Sequence, residues 1–323
     1  MPIGRRRTTS LIAAALAPFA ARAVRAQDRV LRIVVPFTPG TGMDTLARIL
    51  GPRLQALTGL PVVVDNKPGA SGNIGTDAAA RAAPDGNTLM MTANTFVTNV
   101  GLFKSIPYDP VASFAPVAMV ATGDLALAVH PSSPATSLKT FVDLAKAKPG
   151  DLKYASPGPG TPQHLAMELF RLAVKIDVVH VPYKGSAGAV QDLVAGHVGA
   201  MVIPVHTALP LARTDKIRLL AVAAPKRSVF APDVPTFAEA GIDGADVDLW
   251  YGLFAPAATP PSVVAALNGH VNAALAMADV QDALKQAGLA PVGGPADKLA
   301  AFVKSDLARW TRVIREAGIE PAT

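Results

Sequence analysis

Two loops in this chain carry residue types suited to gripping an anion. One reads Val34-Val35-Pro36-Phe37-Thr38-Pro39-Gly40-Thr41-Gly42-Met43-Asp44, the other Tyr154-Ala155-Ser156-Pro157-Gly158-Pro159-Gly160-Thr161-Pro162-Gln163-His164. Each follows a short apolar run and precedes residues at helical spacing. Each should therefore end at a helix start, where the first backbone N–H groups have no partner within the helix and suit an anion. In the first loop Gly40 and Gly42 permit positive φ and a close approach of backbone to ligand, while Thr38 and Thr41 add hydroxyls, a set that suits a carboxylate. In the second, Ser156, Gly158, Gly160 and Thr161 repeat that chemistry, with Thr161 as N-cap and Pro162 in the first helical turn. Two such sites, more than a hundred residues apart, suggest a clamp.

Other polar residues stand where they would border the same space. His164 lies in the first turn of its helix, facing either a cleft or solvent. Asn94 follows the apolar strand Thr88 to Met91, and strand ends of open α/β sheets point into the ligand crevice. Tyr183 and Lys184 follow Val178 to Val181 in the same way, where Lys184 offers positive charge to an anion or is solvated. His206 follows a strand ending at Ile203, where it meets the far end of a ligand or sits at the surface of a helix start. Asp44 compensates a helix dipole, orients the first loop or meets a cationic ligand group. The ligand set expected is therefore Phe37, Thr38, Pro39, Gly40, Thr41, Gly42, Asp44, Asn94, Ser156, Gly158, Gly160, Thr161, His164, Tyr183 and His206. A third glycine-rich stretch, Val64 to Gly75, is expected as a turn whose Asn and Asp side chains satisfy local backbone.

Several chemistries are excluded. Thr45 stands where a dinucleotide fingerprint needs its third glycine, and no phosphate-binding lysine follows as in a P-loop. No G-x-S-x-G elbow surrounds Ser156. There is no H-E-x-x-H, cysteine is absent, and six histidines are scattered along the chain, so neither a metal, a cofactor nor an enzymatic constellation is expected.

The elements that must position these loops alternate strand and helix nearly throughout. Leu31 to Val35, a helix carrying Leu46, Ile49, Leu50, Leu54 and Leu57, and Val62 to Val64 open the pattern. Leu125 to Val129, helices at Leu138 to Lys148, about Pro162 to Val174 and Ala187 to Val194, and strands at Tyr154, Val178 and Ala200 repeat it. This predicts an α/β protein with a mainly parallel sheet in each of two lobes and a cleft between them. After the strand-like Trp250 to Ala255 come helices from Pro261 to Met277 and around Leu299 to Ile314, which must pack on an existing sheet. Lobe 1 is thus expected at 27–125 plus 246–323 and lobe 2 at 126–245, with the crossings acting as a hinge.

Residues 1–26 read as a secretory signal: Arg5, Arg6 and Arg7, an apolar run from Leu11 to Ala21, and Val24-Arg25-Ala26 before the cleavage point. The paired arginines also allow a twin-arginine route. Five of the 30 basic residues and none of the 24 acidic ones lie there, leaving 25 basic residues. The basic excess thus belongs to the signal, no basic run remains, and nucleic acid is not an expected partner. Elsewhere no eighteen-residue apolar stretch would span a bilayer. The mature product is expected as a soluble periplasmic monomer.

Taken together these residues resemble the Bug family, the extracytoplasmic solute receptors of tripartite tricarboxylate transporters. The resemblance runs along the mature chain through Val35-Pro36-Phe37-Thr38-Pro39-Gly40, Asp65 to Gly75, Ser156 to Thr161 with His164-Leu165, and Val181-Pro182-Tyr183-Lys184-Gly185. It continues through Val234-Pro235-Thr236-Phe237 with Glu239-Ala240-Gly241, and Ala255-Pro256-Ala257 with Thr259-Pro260. It implies a two-lobed Venus-flytrap fold, like that of periplasmic binding proteins. It also implies capture of a small carboxylate by Thr38 to Gly42 and Ser156 to Thr161, often through ordered waters, and delivery to a membrane permease of the tripartite tricarboxylate type. The chain has Thr41 where the family often has a second consecutive glycine, and Ile203-Pro204 where many members carry Phe-Asp. The latter removes an acid that could grip an amino or hydroxyl group, which points to a plain mono- or dicarboxylate, aromatic acids included. Docking of the loaded receptor on a sensor kinase, an exported hydrolase and an ABC-type receptor are the alternatives.

Overall fold

A computed structural model describes residues 29–316 together with 318, 319 and 321. The signal expected at 1–26 lies outside them. The chain runs β1 (Leu31–Val35), α1 (Gly42–Thr58), β2 (Val62–Asn66), α2 (Asn73–Ala80), β3 (Thr88–Ala93), α3 (Thr95–Leu102) and β4 (Phe114–Gly123). One residue, Asp124, separates β4 from β5 (Leu125–Val129), which belongs to a different sheet. There follow α4 (Leu138–Ala147), β6 (Lys153–Ser156), α5 (Pro162–Val174), β7 (Val179–Pro182), α6 (Ser186–Ala195), β8 (Ala200–Pro204), α7 (Val205–Ala212) and β9 (Arg218–Val222). The last elements described are β10 (Leu249–Pro256), α8 (Pro261–Leu275), α9 (Ala278–Gln286), β11 (Ala290–Pro291) and α10 (Ala296–Glu316).

Among the described residues the strands form two sheets, ordered β11-β4-β10-β3-β1-β2 and β7-β6-β8-β5-β9. Pairing is parallel between β1 and its neighbours β2 and β3, and between β6 and its neighbours β7 and β8, where helices supply the crossovers. Every other pairing is antiparallel. Both sheets are therefore mixed, not mainly parallel as the sequence pattern predicts. The reason is connectivity: the chain passes directly from sheet to sheet through β4 and β5, and returns through β10 between β3 and β4, with no crossover helix to keep neighbours parallel.

The apolar runs explain the cores. Every residue of β5 and of β10 is buried, as expected for strands covered on both faces. Helices α8 and α10 pack on β4, and α10 also packs on α3, so the C-terminal helices cover the first sheet. Trp250 on β10 is buried, and its Nε1 donates to Asp306 of α10 at 2.7 Å. Arg32, the one outward residue of β1, meets Asp65 of β2 at 3.1 Å.

Candidate functional site

The first loop carries the chain from β1 into α1. Thr41 is the N-cap, its Oγ1 accepting the Asp44 amide at 3.4 Å. The Asp44 carboxylate reaches back to accept the Gly40 amide at 3.0 Å and meets Arg48 at 3.0 Å through both Nε and Nη2. Burial pushes the Asp44 carboxyl up, but Arg48 together with the Gly40 amide and Asn66 outweighs it and holds the group below the usual carboxylate range. Asn66 Nδ2 donates to the Phe37 carbonyl at 3.0 Å, so the loop is fastened from both sides. The amides of Gly42 and Met43, the first of α1, are left facing outward from the helix start. A Cβ at Gly42 would collide with Tyr251 Oη of β10. Glycine is needed there because a phenol lies against the helix start, and burial raises that phenol well above its ordinary pKa and keeps it a neutral donor.

The second loop is more self-contained. Thr161 caps α5, accepting the His164 amide at 3.4 Å and donating to the Gly158 carbonyl at 2.8 Å. The Gly158 amide donates to Ser156 Oγ at 3.1 Å, and the Gly160 amide to His164 Nδ1 at 3.1 Å. Both glycine amides expected to hold an anion are thus engaged inside the loop. Pro162 has no N–H, so the Gln163 amide is the one that the start of α5 presents. The His164 ring is buried, which together with nearby Arg171 lowers its pKa to about 4.

Between the loops lies a pocket of about 440 Å³, part of it open to solvent. On the first-sheet side it is lined by Phe37, Thr41, Gly42, Met43, Ala93, Thr95, Leu249 and Tyr251. On the other side it is lined by Pro157, Thr161, Pro162, Gln163, Ser186, Pro204 and Thr207. None of these side chains is charged at neutral pH. The starts of α1 and α5 thus face one space from opposite sheets, each with the partial positive charge of a helix N-terminus. The hydroxyls of Thr41, Thr95, Ser186, Thr207 and Tyr251 border it. Thr38 Oγ1, beside it, is buried without a partner and lies 2.6 Å from where a Cβ on Gly185 would stand. The two sides touch directly: Ser71 Oγ donates to the Pro159 carbonyl at 2.7 Å, and Thr98 Oγ1 to the Gly160 carbonyl at 2.9 Å. The cleft is closed in this structure.

Of the expected ligand residues, Phe37, Thr41, Gly42 and Thr161 line the pocket. Pro39 and Gly40 are exposed, and Asp44 braces the loop behind them. Asn94 departs from expectation. Its Nδ2 donates to the Asp248 carbonyl and its Oδ1 accepts the Trp250 amide at 3.2 Å, so both ends serve the start of β10, and the residue is fully buried outside the pocket lining. The adjacent Thr95 faces the pocket instead. Tyr183 turns its hydroxyl to Asp192 on α6, and that hydrogen bond, ahead of burial, raises the phenol to about 12. His164 is turned back on its own loop. Ser156 is fully buried, its Oγ 2.6 Å from His180 Nε2, and the same oxygen already serves the Gly158 amide, so the pair faces the loop and not the pocket. His206 on α7 lies 6.5 Å from the Tyr251 ring, outside the lining, with both ring nitrogens buried and unpartnered; burial lowers its pKa to about 4. Sequence reasoning missed Tyr251, Gln163, Ser186 and Thr207. Each neighbours a residue or run singled out for other reasons, but only the fold shows which member of each pair turns inward. Among the described residues no group of three His, Cys, Asp or Glu is placed to hold a metal.

Comparison with known proteins gives a consistent set. Residues 46–319 match the model of the tripartite tricarboxylate transporter family receptor. A UPF0065 protein from the tcbD-tcbE intergenic region of Pseudomonas sp. strain P51 is 39% identical, over 97% of this chain and 95% of its own length. Protein BugT of Bordetella pertussis is 38% identical over 90% of each chain. Among solved structures, Rpa4515 of R. palustris with adipate superposes with a TM-score of 0.88 at 34% identity, over 92% of this chain and 100% of that one. MatC from Rhodopseudomonas palustris with bound malate gives 0.85 at 33% identity, over 89% and 99%.

Proposed function

The chain belongs to the tripartite tricarboxylate transporter receptor family, the Bug solute-binding proteins among them, and we propose that it captures a small carboxylate in the interlobe pocket. The observation that carries this reading is the meeting of two helix starts, α1 and α5, across a space bordered by hydroxyls and by no charged side chain. Each helix N-terminus supplies about half a positive charge, so the pair matches one carboxylate, whereas a phosphate dianion would lack a cation. Thr41, Tyr251, the Gly42 and Met43 amides and the Gln163 amide are the donors assigned to it. The relatives solved with adipate and malate support a carboxylate as the ligand class.

In this reading lobe 1 comprises 27–125 plus 246–323 and lobe 2 comprises 126–245. The direct passage from β4 to β5 across Asp124 supports a hinge there. The ligand closes the lobes because it meets donors from both only in the closed form, and so binds that state more tightly. The chain is exported to the periplasm, its signal cleaved near Ala26, and the receptor that has then taken up its ligand hands it to a membrane permease. It acts by binding, not by catalysis: Ser156 and His180 approach as a nucleophile and base would, but Ser156 has no exposed surface for a substrate.

A thermal-shift screen of the mature protein against mono-, di- and tricarboxylates, aromatic acids and acidic amino acids tests the ligand class. A matching carboxylate at a hundredfold over its dissociation constant adds about 2.7 kcal/mol of stability. Stabilisation by a non-anionic compound, with every carboxylate inert, would overturn it.

A further inference from the structure

Behind the second loop stands a group of rings, two buried (Tyr154 and His164) and one half-buried (His180), that the carboxylate contacts do not use. His180 on β7 stacks on His164 of α5 with centroids 4.2 Å apart and 22° between planes, and on Tyr154 of β6 at 4.8 Å and 17°. Tyr154 Oη donates to Glu168 Oε1 at 2.6 Å, and Glu168 Oε2 accepts from Arg171 Nε at 2.6 Å. Both imidazoles touch the loop. The Gly160 amide donates to His164 Nδ1 at 3.1 Å, and His180 Nε2 lies 2.6 Å from Ser156 Oγ, which itself accepts the Gly158 amide at 3.1 Å.

We propose that His164 and His180 are positioning residues of the site: a stacked pair of neutral rings that set the shape of the second loop by accepting hydrogen bonds from it. The proposal rests on the reading of that loop as one wall of the carboxylate pocket. The donor assignments follow from the geometry. An amide N–H only donates, so His164 Nδ1 must present its lone pair and carry its proton on Nε2. Ser156 Oγ has taken the Gly158 N–H, and its own proton has two acceptors in reach. The Gly158 carbonyl, at 3.1 Å, already accepts from Thr161 Oγ1 at 2.8 Å and from the Thr161 amide at 3.4 Å, whereas His180 Nε2 is at 2.6 Å. The serine proton therefore goes to His180, whose own proton sits on Nδ1. The two rings thus hold opposite tautomers, and each fixes one glycine of the loop.

Protonation destroys this arrangement. A proton on His164 Nδ1 would face the Gly160 N–H, two donors in one place, and one on His180 Nε2 would make Ser156 Oγ the acceptor and turn the serine proton to the crowded Gly158 carbonyl. The charged groups bearing on the pair are Arg171, which disfavours a proton on His164, and, at His180, His164 itself, which disfavours a proton there, ahead of Glu168, which favours one. Burial is the largest influence on both and holds both near 4. Since these values are depressed, the loop keeps its shape at neutral pH and loses it as pH falls through about 4.

The test is nitrogen-15 NMR of the mature protein titrated from pH 7.5 to 3.5 without ligand. The expected result is an Nε2–H tautomer for His164, an Nδ1–H tautomer for His180, and a joint shift of the Gly158 and Gly160 amides with a midpoint near pH 4, while the Gly42 amide stays still. His164→Asn, whose Oδ1 can replace Nδ1 as acceptor and cannot titrate, should keep the neutral-pH Gly160 amide position and lose its acid transition. Titration of either ring near 6.5, an Nδ1–H tautomer at His164, still glycine amides, or an unchanged Gly160 transition in His164→Asn would overturn the proposal. A wrong ligand class would appear only in the thermal-shift screen and leave these spectra as predicted.

Discussion

Tyr251 and Gly42 show how a single close approach can define a binding site. The phenol lies against the start of α1, held neutral by burial, and the glycine exists to admit it. Tyr251→Phe should leave the fold intact and weaken carboxylate binding about tenfold or more, since a hydrogen bond to a charged group contributes roughly 1.5–3 kcal/mol; titration calorimetry on a carboxylate that stabilises the wild type measures this. A second prediction concerns Asp306. Burial raises its carboxyl to about 6 against the opposing Trp250 hydrogen bond and Arg309. The native state then binds this proton more tightly than the unfolded chain, so this contribution is present below pH 4 and is lost as pH rises through 6. Asp306→Asn keeps an acceptor for Trp250 and should stabilise the protein at pH 8 by on the order of 2 kcal/mol relative to wild type, with little difference at pH 4, as read from urea melts. At this scale the sequence was only partly legible. Thr161 was recognisable as an N-cap because residue type and spacing decide capping, whereas Thr41 was read only as a hydroxyl donor and caps α1 as well. The polar groups of Asn94, His164 and Tyr183, expected at the ligand, turn to the start of β10, the second loop and α6, because the direction of a polar side chain at a strand or helix end depends on what packs beside it.

The elements were more legible where one neighbour decides them. Helix α5 spans Pro162–Val174, as proline, cap and periodicity predict. Strand β4 was not foreseen. Pro116 falls within it, and proline argues against a central strand. It is tolerated because β11 pairs only with Thr122 and Ala121, leaving Pro116 where β4 is an edge, next to a register shift against Phe254. Helix α3 also escaped notice, being short, and of α7 only the start at His206 was read, since Pro210 interrupts its pattern. Helix α3 has a function beyond its length, because Thr98 donates from it across the cleft to Gly160, as Ser71 does to Pro159. These bonds exist only when the lobes meet. Ser71→Ala and Thr98→Val should each weaken ligand binding about fivefold, on the scale of one net hydrogen bond, without lowering the melting temperature of the ligand-free protein. Unchanged affinity in both would mean that these contacts do not select the closed form.

For the molecule as a whole, two mixed sheets joined by β4–β5 and by the return into β10 place the starts of α1 and α5 opposite each other. The alternation of strand and helix was enough to foresee two α/β halves, but not the antiparallel pairings, which follow from where the chain crosses between them. Capture of one carboxylate between those two helix starts is the central claim. It is tested most directly by proton–nitrogen NMR of the mature protein during titration with a carboxylate that raises its melting temperature. The amides of Gly42 and Met43 from one side and Gln163 from the other should shift together and saturate at a single dissociation constant. Shifts confined to one side, or to neither, would contradict it.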